Sequence, residues 1–171
     1  MKTFIVALFM VLSANLFASD FYTKVVHDSF DNYYPKLQKS IKDNHMNVLY
    51  ELKLIEQFKK KGYAKKFGKD FNKNDIDEVV TLLICNGYVG NQVSNIDPAM
   101  MALCPIKLTI IKQGRKLTVT FLRHDSVKAN PKVKELLTTL DKILIHTIDL
   151  VDDEYMQGAA QDSYESIHEG N

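Results

Sequence analysis

The sequence predicts an α+β fold, a mainly antiparallel sheet backed by helices, and three observations carry that reading. Two alternating apolar stretches, Ile106 to Lys112 and Lys116 to Arg123, flank Gln113-Gly114-Arg115 and read as a hairpin. A continuous apolar run from Val79 to Cys85 suits a strand buried on both faces. Behind Asn130-Pro131, a cap followed by proline in the first helical position, Val133, Leu136, Leu137, Leu140, Ile143, Leu144, Thr147 and Ile148 recur at helical spacing to about Val151. With the elements between them, the order is β-α-β-(α)-β-(α)-β-β-α, helices on one face of the sheet.

Taken in order, Phe21 to His27 is rich in β-branched and aromatic residues and reads as the first strand. Asp28 or Ser29 then caps a helix whose apolar positions are Phe30, Tyr33, Tyr34, Leu37 and Ile41. Pro35 fits that helix if its regular part starts near Asn32. Asn44 and His45 end it, and Met46 to Leu54 alternates as a second strand. Glu56 to Phe71 reads as a short helix broken at Gly62 and Gly68, its aromatics packed inward and its lysines facing water. Tyr88 to Asn95 reads as loop or irregular helical turn. Pro98 opens a short helix capped by Asp97 and carrying Met100, Met101 and Cys104.

A chain of 171 residues, 46% hydrophobic and 25% charged, is long enough for one domain with a real core and too short to expect two. Its first residues have a signal-peptide pattern: Lys2, an apolar stretch from Phe4 to Leu12, then small residues at Ala14 and Ala18. The expected organisation is a signal peptide over 1–18, one α+β domain over 19–151 and an acidic, mobile tail over 152–171. That places the mature protein in the periplasm or outside the cell, with no stable membrane anchoring. With 22 Lys and Arg against 21 Asp and Glu, loss of Lys2 leaves the mature chain formally neutral. The charge is uneven, because from Asp149 onward there are acids and no Lys or Arg. Lysines interleaved with Phe58, Tyr63, Phe67 and Phe71 suit nucleic acid or an anionic surface. Export argues against nucleic acid as a partner.

The chemistry-bearing residues gather between Val79 and Ile111, where both cysteines lie. Cys85 and Cys104 admit four readings: buried core thiols, a structural disulfide, a reactive thiol site, or soft-metal binding. A disulfide suits an oxidising compartment and would stabilise by roughly 3 kcal/mol in the chain-entropy model. A reactive thiol needs a depressed pKa. A Cu(I) site would use Cys85, Met100 and Cys104, soft sulfur donors of which Met100 and Cys104 are spaced i, i+4. The five histidines show no spacing that pairs them for zinc. His124-Asp125 reads as polar surface after the last strand. No nucleophile-elbow, Walker or dinucleotide fingerprint is present, so enzymatic activity is not indicated and no cofactor is named.

The buried strand ending Cys85-Asn86, then Asp97-Pro98, then Leu103-Cys104-Pro105 opening a hairpin, with a C-terminal helix after it, resembles the domain-of-unknown-function 302 family over about Phe21 to Val151. The resemblance implies a TATA-binding-protein-like fold, a curved sheet backed by helices, frequently dimeric, and it implies no activity. The family usually reads Leu-Pro-Cys where this chain has Leu103-Cys104-Pro105. A one-position exchange at a strand entrance turns a side chain to the other face. The expected role is non-enzymatic binding of a small ligand or a periplasmic protein near Cys85, Asn86, Asp97 and Cys104, with thiol redox or sulfur transfer as the competing class and a homodimer as a third.

Overall fold

The computed structural model describes the backbone of residues 20–168 and the side chains of residues 20–151, so the expected signal peptide lies outside the described residues. Five strands form one sheet: β1 (Phe21–Val26), β2 (Asn47–Lys53), β3 (Glu78–Cys85), β4 (Ile106–Gln113) and β5 (Lys116–Leu122), in the spatial order β1-β5-β4-β3-β2. All four pairings are antiparallel. The alternation expected of the hairpin is realised on one face, where Ile106, Leu108, Ile110, Leu117, Val119 and Phe121 are buried with Val80, Leu82 and Ile84 of β3. Strand β3 itself is not buried on both faces as expected, since Val79, Leu83 and Cys85 on its other side are only half-buried. The tight turn between β4 and β5 works because Gly114 takes a φ of 58°, which a side chain would resist.

Helix α1 (Phe30–Asp43) and helix α5 (Pro131–His168) cover that face. Tyr33, Leu37 and Ile41 from α1 meet Val133, Leu137, Leu144 and Ile148 from α5 in one core. Each fully buried Leu or Ile contributes about 1.5–3 kcal/mol, so this layer dominates the stability of the domain. Ser29 caps α1 by accepting the Asn32 N–H at 3.3 Å. The helix starts at Phe30, two residues before the start that suits Pro35, so Pro35 lies inside it and the Asp31 carbonyl loses its usual N–H partner.

Three further differences from the sequence reading stand out. The segment after Cys85 is a regular helix, α4 (Gly87–Ile96), because Val89 and Val93 bury one side of it against the core. The lysine-rich connector forms α2 (Leu54–Lys60) and α3 (Tyr63–Phe67), separated at Gly62 as expected. Its aromatics do not pack inward: Phe58, Tyr63 and Phe67 are 38%, 36% and 50% exposed and pack chiefly on one another. Finally, α5 does not end near Val151 but stays helical to His168, while the side chains of the acidic segment lie outside the described residues. Among the described residues no helix is long and apolar enough to cross a membrane.

Candidate functional site

The site is built by the register of β3 against β4. Their last pair is Ile84 with Ile106, so the end of one strand and the entrance of the other meet at the same end of the sheet. Cys85 closes β3, and Cys104 stands two residues before β4 begins. Between them the chain is held by two caps. The Asn86 Oδ1 accepts the Val89 N–H at 3.0 Å and starts α4. The Asp97 Oδ1 accepts the Ala99 N–H at 3.1 Å and starts the tight helical turn Pro98–Leu103, which delivers Cys104 to the sheet.

As a result the two Sγ atoms lie 3.2 Å apart, both half-buried and not bonded to each other. A disulfide would bring them to about 2.05 Å. Burial, and then the hydrogen bond and proximity of Cys85, push the Cys104 thiol up to about 11. Cys104 is therefore a protonated thiol at neutral pH, the opposite of the low-pKa thiolate that nucleophilic catalysis uses.

Cys104 also lines a small cavity between α4, the Pro98–Leu103 turn and α5. Its walls include Asn86, Val93, Met100, Met101, Leu103, Leu137 and His124, and it offers about 30 Å³ to a water-sized sphere. That is room for a water molecule or two, or for a single ion. The lining is mostly apolar and includes Met100, Met101 and Cys104, whereas Cys85 is not part of it.

His124 is not polar surface: it is 5% exposed, and its Nδ1 lies 2.8 Å from Oδ1 of Asp141, itself 2% exposed. The other Asp141 oxygen accepts the Asp125 N–H at 2.8 Å. Burial alone would push the Asp141 carboxyl up, but the His124 and backbone hydrogen bonds outweigh it and hold the group below the ordinary carboxylate range. An ionised carboxylate only accepts, so the ring donates from Nδ1 to Asp141. A carboxylate that fixes an imidazole in this way is how proteins orient histidine for a proton or a metal.

Of the residues singled out in the sequence, the structure brings Cys85 and Cys104 together and puts Asn86, Met100 and Cys104 around one cavity. Asp97 is not among the cavity's lining residues and serves as a cap. Among the described residues no group of three or more His, Cys, Asp or Glu gathers to hold a metal ion. The sequence reading passed over Asp141, although its position on the buried stripe between Leu137 and Leu144 signals a paired carboxylate.

Fold and site together define an α+β domain with a five-stranded antiparallel sheet and two adjacent thiols at one sheet end. The chain belongs to the family described as Domain of unknown function DUF302, whose model matches residues 22–151. It is similar to a solved structure, the crystal structure of uncharacterized conserved protein DUF302 from Bacillus stearothermophilus, with a TM-score of 0.66 and 21% identity over 77% of this chain and 97% of that one. At that identity the likeness speaks for the fold alone. No curated protein matches the chain.

Proposed function

We propose that this chain is an exported, non-enzymatic binding domain whose ligand is held at the Cys85–Cys104 pair, and that Cu(I) is the ligand its donors fit. The observation that carries the reading is the 3.2 Å separation of two unbonded thiols, one of which, Cys104, lines a small cavity together with Met100 and Met101. Cu(I) prefers thiolate and thioether donors, and it needs fewer ligands than the zinc sites that a His, Cys, Asp or Glu cluster would build. Met100 supplies the thioether expected for such a site. His124, its ring held by Asp141, lines the same cavity. The raised Cys104 thiol argues for binding over catalysis, because a metal can displace its proton whereas a protonated thiol attacks slowly. Export rests on the Lys2–Ala18 pattern.

The test is an anaerobic titration of the reduced protein with Cu(I) against a chromophoric Cu(I) chelator. One Cu(I) per chain is expected, lost in Cys104→Ser and in Cys85→Ser and weakened in Met100→Leu. A reduced protein that leaves all Cu(I) with a weak chelator refutes the proposal.

The same separation favours a second reading, an oxidised pair. There the two thiols form one S–S bond and give up two protons and two electrons, and an external disulfide takes them and leaves as two thiols. Thiol counting on protein isolated from its native compartment, with and without reductant, separates the two readings. No free thiol before reduction and two after it favours the disulfide.

A further inference from the structure

We propose that the basic aromatic lobe formed by α2 and α3 is a docking surface for the acidic C-terminal segment of a second copy of this chain. The surface is unusual for an isolated domain. Phe58, Tyr63 and Phe67 form a row of tilted and edge-on rings with centroids 5.6 and 5.8 Å apart, each still a third to a half exposed. Beside them a groove of about 420 Å³ is walled by Leu54, Ile55, Phe71 and Ile76. Exposed apolar patches with a charged rim mark interaction sites.

The rim is basic. Lysines stand at positions 59, 60, 61, 65, 66 and 69. Lys60 meets Glu56 at 3.9 Å and Lys66 lies over the Phe67 ring. Lys61, Lys65 and Lys69 have no acidic partner among the described residues. The complement is in the same chain: Asp149, Asp152, Asp153, Glu154, Asp162, Glu165 and Glu169 lie in a segment without Lys or Arg. In the sequence Tyr155, Met156, Tyr164 and Ile167 are interspersed among them, the apolar component that a helix-in-groove contact requires.

Topology argues that the partner is another molecule. Asp149 accepts from Tyr22 Oη at 3.0 Å and from Lys24 Nζ at 2.8 Å, so α5 reaches Val151 at the β1 edge of the sheet. The lobe follows β2 and packs on β3, at the opposite edge. From Val151 the helix continues unbroken to His168, roughly 25 Å at 1.5 Å per residue. A continuous helix does not turn back across its own sheet. Two copies can instead exchange segments reciprocally, giving a closed, two-fold symmetric pair.

A charge-reversal cross on the full mature chain tests this. One variant carries Lys65→Glu with Lys66→Glu, and the other carries Asp152→Lys, Asp153→Lys and Glu154→Lys. Sedimentation over a range of concentrations should show a salt-sensitive dimer for the native chain. Each variant alone should dimerise at least about tenfold more weakly, and an equimolar mixture should recover a heterodimer. Phe67→Ala, at an exposed position, should weaken the dimer while circular dichroism stays unchanged. A native chain that is monomeric throughout, a dimer insensitive to both reversals, or a mixture that fails to recover association overturns the proposal. So does a monomeric chain that binds phosphatidylglycerol vesicles through Lys65 and Lys66, since the lobe would then face lipid.

Discussion

Replacing Asp141 by alanine should destabilise the domain by about 4 kcal/mol. The carboxylate is 2% exposed and receives two hydrogen bonds at 2.8 Å, one from the His124 ring and one from the Asp125 amide. Its removal strands one buried and one part-buried N–H donor, and each stranded donor costs about 1–3 kcal/mol. Asp141→Asn keeps one acceptor oxygen and should cost about half as much. Urea unfolding of Asp141→Ala, His124→Phe and the double variant gives the cycle. Phenylalanine keeps a ring against Phe121 but drops the N–H, so coupling between the two sites should exceed about 1 kcal/mol. Acid adds a second readout. Because the folded Asp141 is held below the ordinary carboxylate value, the unfolded chain binds its proton more readily. The contribution is therefore full above about pH 4 and fades as pH falls through the lower, folded value. Asp141→Asn should lose this component of the acid limb. An alanine variant weakened by less than about 1 kcal/mol, or a coupling of zero with His124, would refute the buried pair as a structural element.

Two other outcomes follow from the geometry. Asp97→Ala should cost about 1 kcal/mol in thermal or urea unfolding, as loss of a cap does, and leave Cu(I) affinity unchanged, because its carboxylate serves the Ala99 amide and lies off the cavity; a large loss of Cu(I) binding would restore Asp97 as a ligand. Cu(I) affinity, measured by chelator competition from mildly acidic to alkaline pH, should rise with pH by up to roughly tenfold per unit for the proton Cys104 must release, a trend that persists towards about 11. A flat profile would mean that this thiol is not a ligand.

What the sequence makes legible here is local chemistry. The Gly114-Arg115 turn, the Asn130-Pro131 helix start and the Asp97 cap each follow from residues within a few positions of one another, and each is found where those residues point. Helix α4 is not legible in this way, since Gly87, Gly90, Asn91 and Asn95 are all poor helix formers. It exists because Asn86 caps it and because Val89 and Val93 have a core to pack on, which is tertiary information. His124 and Asp141 are 17 residues apart, and their union depends on α5 docking beside the end of β5.

The thiol pair falls between these cases, and the order of Cys104 and Pro105 shows why. In the antiparallel register that pairs Ile84 with Ile106, Cys85 faces position 105, where the Leu-Pro-Cys order implied by the family resemblance would put a cysteine and this chain has Pro105. Moving the thiol back one residue within a strand would turn it to the other face. Position 104 lies before the ladder starts, however, where no pleat dictates direction, and the Pro98–Leu103 turn carries the thiol back to within 3.2 Å of Cys85. The two sulfurs are therefore close although they stand on different footings: Cys85 closes a strand, while Cys104, set by the turn, also lines the cavity with Met100 and His124.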